Sequence, residues 1–473
     1  MLLSALWSVL LPACTDAAKP DGPPADSDTQ SSDTDPVADT DSAEDTEPPA
    51  PAAVDFGGFT PRNVVIFHID TLRADSFARW GGTRDPFASV TARMPWISID
   101  QAVSTAPWTP PSTASILTGE PPEVHKVRFF DDTGDNYSVA APTFASHLQA
   151  MGLATALVTG SNVLTTPEWR LDQGFAYVGQ IDAEPGNAEA VVADAVAWLD
   201  TLEPDQPFLL FLQPMDMHAP YRADDRDRGA YVAPDEAFFD VDAGEDAQYR
   251  VISAALGAAP TDEERQRLRT MMRDLYEEQA LGVARAFNDL MDDLDRRGLT
   301  DDTLLVFTAD HGETFFDGYF NYVSHSGFPR HEVVHIPLLF GAPGLTPSEV
   351  PCLASNMDIF PTVVEAMGYP PVKVTMGASL LGGCREYAFS SRYEASGGVQ
   401  TLHFLSAESR EAQLVYDCVA GTRTAFDLVA DPTALSPVSV AEVPGGAALE
   451  AALQGHLAEV VAVFPELTCV LGE

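Results

Sequence analysis

The chain has 473 residues, 45% of them hydrophobic, and a formal net charge of -45. That length allows one large core plus an appendage, and the hydrophobic fraction is that of an ordinary globular protein. The acidic balance argues against a nucleic-acid partner, because phosphate backbones demand clustered Lys and Arg.

The chain opens with Met1-Leu-Leu-Ser-Ala-Leu-Trp-Ser-Val-Leu-Leu-Pro-Ala-Cys14. This apolar run is too short to cross a bilayer and has the length of a secretory h-region. Leu11-Pro-Ala-Cys14 resembles a bacterial lipoprotein cleavage box, in which the Cys is acylated and becomes the new N-terminus; the bland alternative is a fortuitous apolar start with a buried Cys. Residues 15–57 follow as an acidic stretch rich in Pro, Ser, Thr and Ala, with Lys19 its only base up to residue 54. It holds too little apolar surface to offset its ordering entropy, so a disordered tether is expected. Together they predict a protein exported from a bacterial cell and held by a lipid anchor in the periplasm or on the cell surface.

Asn63 to Ile69 is a largely apolar run, the pattern of a strand covered on both faces. Ala154 to Thr159, Phe208 to Leu212 and Leu304 to Thr308 repeat it. Helical patterns lie between them: Pro142 to Gly152, Ala188 to Leu202, and a long segment from Glu263 to Arg297 that ends before Gly298 and reads as one or two helices. This alternation predicts an α/β domain over residues 58–385, with a mostly parallel central sheet sandwiched by helices. Past residue 385 the alternation weakens. Short β-like runs at Leu402 to Leu405 and Gln413 to Tyr416, then a helix from Ala447 to Val463, predict a small α+β subdomain over 386–473.

Besides Cys14, the cysteines are Cys352, Cys384, Cys418 and Cys469. An even number in an exported chain suggests two disulfides, with three pairings open; nearest neighbours, 352 with 384 and 418 with 469, are the expected ones. A zinc site is disfavoured by the lack of any CxxC spacing.

Three segments carry chemistry: Asn63-Val-Val-Ile-Phe-His-Ile-Asp70, Thr109-Pro-Pro-Ser-Thr-Ala-Ser-Ile-Leu-Thr-Gly119 and Thr308-Ala-Asp-His-Gly-Glu313. Asp70, and Asp310 with His311, follow strands directly, and an open parallel sheet gathers its ligands outside the carboxyl ends of its strands. Two carboxylates and an imidazole make an incomplete shell for one divalent ion, whether Zn, Mn, Mg or Ca. Pro110 and Pro111 pre-set a helical turn that Gly119 stops, which puts the Thr109 hydroxyl at a helix N-terminus, where an anion is favoured. Coordination to a cation would make that hydroxyl a nucleophile. Alone, Thr109 reads as a helix N-cap. His218, in Asp216-Met-His-Ala-Pro-Tyr221, and His325, in Ser324-His-Ser-Gly, are placed to contact anionic oxygens or protonate a leaving group. Asp216 is a candidate ligand for a second metal, although one ion explains the pattern with less. His125, His331 and His335 read as structural.

At these residues the chain resembles the sulfatase-like branch of the alkaline phosphatase superfamily. The likeness runs from about Arg62 to Pro432 and takes in Asp70-Thr-Leu-Arg-Ala-Asp75, Leu117-Thr-Gly119 with Pro122 and His125, His218-Ala-Pro-Tyr221, Asp310-His-Gly-Glu313, Glu332 to Pro337 and Phe426-Asp-Leu-Val-Ala-Asp-Pro432. It implies an alkaline phosphatase-like fold, Asp70, Thr109, Asp310 and His311 at metal positions, and His218 and His325 against the transferred group. Formylglycine sulfatases carry Cys or Ser where this chain has Thr109, and Arg where it has Thr113. Threonine cannot mature to formylglycine. Thr109 resembles instead the phosphodiesterase and phospholipid-headgroup transferase branches, and Thr71 replaces a second Asp common in sulfatases. The reading is a metal-dependent hydrolase of anionic phosphate-type esters (phosphomonoester, phosphodiester or phosphonate). Three alternatives stand beside it: a sulfuric ester hydrolase without formylglycine, a headgroup-type transferase, and a catalytically silent surface lipoprotein. Substrate choice is expected to lie in loops such as residues 224–262.

Overall fold

The computed structural model describes residues 53–128, 139, 142–181, 187–232, 254, 257–258, 261–315, 323–370, 372, 376–396, 399–463 and 469. The apolar N-terminal run with Cys14, most of the acidic tether and much of the 224–262 loop fall outside them. In chain order come β1 (Asn63–Ile69), α1 (Ala88–Thr91), β2 (Trp96–Val103), α2 (Thr109–Thr118), α3 (Pro122–His125), α4 (Phe144–Ala150), β3 (Ala154–Thr159), β4 (Tyr177–Gln180), α5 (Ala188–Leu199) and β5 (Phe208–Gln213). Then follow α6 (Asp262–Arg297), β6 (Thr303–Ala309), β7 (Thr314–Phe315), β8 (Val323–Ser324), α7 (His331–Val334), β9 (His335–Ile336), β10 (Leu338–Gly341), β11 (Ser348–Ser355) and α8 (Ile359–Ala366). The last elements are β12 (Ala388–Ser396), β13 (Val399–Glu408), β14 (Ala412–Asp417), β15 (Thr422–Asp427) and α9 (Gly446–Val463).

The main sheet runs β11-β2-β10-β6-β1-β5-β3-β4, with β9 paired to β2. Its strands are parallel except that β10 lies antiparallel between β6 and β2, and β9 is antiparallel to β2. The four expected strands are present, each within a residue of its predicted ends, and all residues of β1, β5 and β6 are buried. Phe67 and Phe307, partners in the β1–β6 register, both meet Phe287 of α6 edge-on, at 5.3 and 5.5 Å between ring centroids. The long predicted helical segment is one helix. Thr261 caps α6 by accepting from the Glu264 N–H at 3.2 Å, acids fill its first turn, Arg296 and Arg297 its last, and Gly298 ends it at φ 70°.

The carboxyl-terminal part is a β12-β13-β14-β15 antiparallel sheet covered by α9, whose Leu449, Leu453 and Leu457 are buried against it. Disulfides join Cys352 to Cys384 and Cys418 to Cys469, the nearest-neighbour pairing. Three strands escape an apolar-run reading for local reasons. β2 buries Ser98 and Gln101 among its apolar residues, and β12 and β15 are rich in Ser, Thr and Arg. β10 is apolar, but four residues do not reveal a direction.

Glu408, at the end of β13, ties this sheet to the main one. Its buried carboxylate accepts from Gln101 of β2 at 2.8 Å and Gln413 of β14 at 2.6 Å, and lies 3.1 Å from His331 Nδ1. Burial alone would lower the His331 pKa, yet Glu408 holds it raised. Removing the carboxylate breaks the buried pair with His331 and takes one acceptor from each of Gln101 and Gln413, which keep the Ser409 and Pro329 carbonyls, so Glu408→Ala should cost about 3–5 kcal/mol. Urea unfolding checks this, and Glu408→Gln should cost less because it keeps one acceptor.

Candidate active site

The parallel β1–β6 register pairs Ile69 with Ala309, so Asp70 and Asp310 leave the sheet side by side at its carboxyl edge. Directly after Asp70 the chain turns sharply: Thr71 sits at φ 56°, donates its N–H to Asp310 Oδ1 at 3.1 Å, and its carbonyl accepts from Tyr276 of α6 at 2.8 Å. The Arg73 N–H donates to the same tyrosine oxygen at 3.0 Å. Burial opposes ionisation of Asp75, but Arg273 and Arg73 hold its carboxyl below the usual range, and this part-buried ion cluster fixes the far side of the turn.

The β2–α2 connection brings in Thr109. Here the structure departs from a simple capping motif. Trp108 occupies the N-cap, no side chain caps the helix, and Thr109 is its first residue. Its hydroxyl lies 3.3 Å from Asp70 Oδ2 and 3.2 Å from His311 Nε2. Ser112, one turn on, donates to the Asp310 carbonyl at 2.6 Å and accepts from Asn356 at 2.9 Å, which locks α2 onto the end of β6.

His311 Nδ1 is 2.8 Å from the Gly312 carbonyl, which can only accept, so Nδ1 carries the proton and the Nε2 lone pair faces Thr109. Nε2 is 3.6 Å from Asp310 Oδ2 and 4.0 Å from Asp70 Oδ1. Ligand atoms of Asp70, Asp310 and His311 all lie within 4.8 Å of one another, and all three side chains are fully buried. Burial, with Asp310 close by, pushes the Asp70 carboxyl well up; burial pushes Asp310 up as well and, with His325 beside it, His311 well down. Asp70 Oδ1 and Asp310 Oδ2 are buried without hydrogen-bond partners. Two like charges, two orphaned oxygens and an imidazole lone pair in a buried site fit a divalent cation, and the Thr109 hydroxyl adjoins them.

His218 and His325 stand at this cluster. Their rings are 5.0 Å apart, and His325 is 4.5 Å from His311. His218 Nδ1 lies 2.8 Å from the Ala219 carbonyl, which turns Nε2 outward. Two neighbours were not singled out from the sequence. Buried Glu313 accepts from Tyr221 at 2.9 Å and lies 3.4 Å from His325 Nδ1. Gln213 ends β5, accepts from Thr159 at 2.7 Å and donates to Asp70 Oδ2 at 3.4 Å. The apolar strand before Gln213 was a usable signal, since the residue ending such a strand at this edge must face the site.

Asp216 lies elsewhere: burial pushes its carboxyl up to about 7, against backbone N–H groups of Asn187 and Ala188 at the start of α5. His125 bridges Ser115, the Pro111 carbonyl and the Val127 N–H at 3.1 Å each and supports α2 from behind.

The sulfatase family profile matches residues 62–369, well over half of the chain. The chain belongs to the sulfatase family. It is 26% identical over 408 residues to the choline-sulfatase of Rhizobium meliloti (strain 1021), covering 74% of this chain and 76% of that one. The phosphonate monoester hydrolase of Agrobacterium radiobacter superposes with a TM-score of 0.63 at 18% identity, over 86% of this chain and 96% of that one. A protein solved with its substrate D-glucosamine-2-N,6-O-disulfate superposes at 0.65 and 17% identity, over 86% and 98%. At those identities the two structures speak for the fold. This sulfatase-family chain is an ester hydrolase with an Asp/Asp/His site of the kind that holds a divalent metal in its family.

A pH test follows from the raised carboxyls. In chelator-treated protein, Asp70 and Asp310 bind protons more tightly folded than unfolded, so stability should fall as pH rises above about 4, the unfolded carboxyl value. A divalent cation should raise the melting temperature, by the equivalent of about 2.7 kcal/mol at a hundredfold excess over Kd, and flatten that decline. Asp310→Asn should remove most of the cation response.

Proposed function

We propose that the chain is a metal-dependent hydrolase of phosphate-type esters, whether phosphomonoesters, phosphodiesters or phosphonates, with Thr109 as its nucleophile. The observation that carries this reading is the Thr109 hydroxyl, within 3.3 Å of Asp70 and 3.2 Å of His311 at the start of α2. Asp70, Asp310, His311 and Thr109 would hold one divalent cation. When bound, it supplies positive charge that favours the ionised threonine oxygen and offsets charge on the ester.

In this scheme Thr109 Oγ1 attacks phosphorus in line, the bond to the departing alcohol breaks, and a phosphothreonine forms. Water then hydrolyses that ester and regenerates the hydroxyl; an acceptor alcohol in place of water would give a transferase. His218 and His325 face the same space and would contact the non-bridging oxygens or the leaving group. Pro110 and Pro111 carry no N–H, so at the start of α2 the anion is favoured by the helix dipole and the Thr109 N–H alone. The threonine favours phosphorus over the formylglycine route, since that route needs Cys or Ser at this position. Export with lipid anchoring at Cys14 belongs to the same proposal, and two disulfides suit an oxidising compartment.

A second reading has its own support: the sulfatase-named relative at 26% identity keeps a sulfate ester open as substrate, attacked by Thr109 directly. Aryl phosphate, aryl phosphonate and aryl sulfate assayed side by side separate the two. On the preferred ester Thr109→Ala should lower kcat at least about a thousandfold, while Thr109→Ser keeps a measurable rate. An unchanged rate in Thr109→Ala would remove the nucleophile assignment.

A further inference from the structure

The carboxyl-terminal sheet meets the loops beside the active site at Arg392. Arg392, on β12, lies with its guanidinium over the Trp108 ring, 5.2 Å from the centroid. Trp108 immediately precedes Thr109, caps α2, and is buried in the apolar core of the carboxyl-terminal sheet together with Tyr393, Leu402 and Leu405. The same guanidinium donates from Nε to the carbonyl of Ser326, the residue after His325, and from NH1 to the Tyr393 carbonyl. One side chain thus grips the loop before the nucleophile and the loop carrying His325.

That second loop needs a grip. His325 is flanked by Ser324 at φ 132° and Ser326 at φ 64°, two non-glycine residues in left-handed territory, and such strain persists only where surroundings over-determine it. Three restraints do so. The Ser326 N–H donates to the Pro107 carbonyl at 2.7 Å, Thr314 donates to the Ser324 carbonyl at 2.7 Å, and Arg392 holds the Ser326 carbonyl. The β12–β13 ladder slips by one residue at Arg392/Tyr393, with His403 of β13 the extra residue, so Arg392 stands at a break in the pairing. Arg392 also lies beyond residue 369, outside the segment that matches the family.

We infer that Arg392 is a positioning residue: it clamps the strained Ser324–Ser326 turn to the Trp108 loop and so fixes His325 against His311 and Thr109. The inference rests on the proposed role of His325 at the reacting group. Arg392 acts only through that histidine and its loop, and takes no part in holding the cation.

The test uses the full chain and the aryl ester on which the wild type is active. Arg392→Met, Arg392→Lys, His325→Asn and the Arg392→Met/His325→Asn double variant are compared for kcat, KM, melting temperature and divalent-cation affinity by calorimetry. Arg392→Met should lower kcat by something on the order of tens of fold through misplacement of His325. KM should move by less than about threefold and cation affinity should hold, while melting temperature falls by only a few degrees. Arg392→Lys should recover part of the rate, and the double variant should be no slower than His325→Asn alone. Wild-type kcat in Arg392→Met, or losses that simply multiply in the double variant, would overturn the clamp. A lowered melting temperature with unchanged kcat at low temperature would also overturn it, leaving Arg392 purely structural. If His325→Asn itself keeps wild-type kcat, the reading of His325 fails first and takes the clamp with it.

Discussion

Everything in this site descends from two carboxylates forced together where water is scarce. The β1–β6 register sets Asp70 beside Asp310, and neither residue can retreat, because the strands before them are buried end to end. Like charges packed this way are unstable unless protonated or bridged by a cation. The surrounding bonds favour bridging. Thr71 and the His311 backbone both donate to Asp310 Oδ1, while Gln213 and Thr109 both reach Asp70 Oδ2, which leaves one oxygen on each carboxylate unpartnered. The His311 tautomer, fixed by the Gly312 carbonyl, turns a third lone pair toward the same space.

The surrounding elements hold the Thr109 hydroxyl against that pair. β10 runs backward between β6 and β2, so β2 is parallel to β1 and delivers Thr109 to the same edge. Ser112, Asn356 and His125 then keep α2 from shifting. Trp108 sits in a different hydrophobic core from the sheet behind it, so Thr109 lies at a seam between two packing units, and the buried Glu408 cluster is part of what closes that seam.

Much of this was readable from the chain alone. Asp70 and Asp310 stand out because each ends an apolar run, and Thr109 because Pro-Pro and Gly119 frame a helix around it. The same logic brought in His218, which follows β5. The limits are equally physical. Ser98 and Gln101 in β2 obscure a strand whose polar groups are satisfied or sheltered only after folding. The N-cap fell on Trp108 because its ring fills the carboxyl-terminal core, a tertiary preference that outweighs local capping chemistry. Asp216, a candidate for a second ion, stands outside the Asp70, Asp310 and His311 group and lies against the start of α5. Arg392 was invisible because 283 positions of chain separate it from Thr109, and only the folded carboxyl-terminal sheet brings it over the Trp108 ring.

The central claim is that Asp70, Asp310, His311 and the Thr109 hydroxyl share one cation. Anomalous diffraction from crystals grown with manganese tests it most directly. A single strong peak bonded to those four side chains is the predicted result. A fully active protein whose peak lies away from Thr109, or that shows no peak among these residues, would contradict the account.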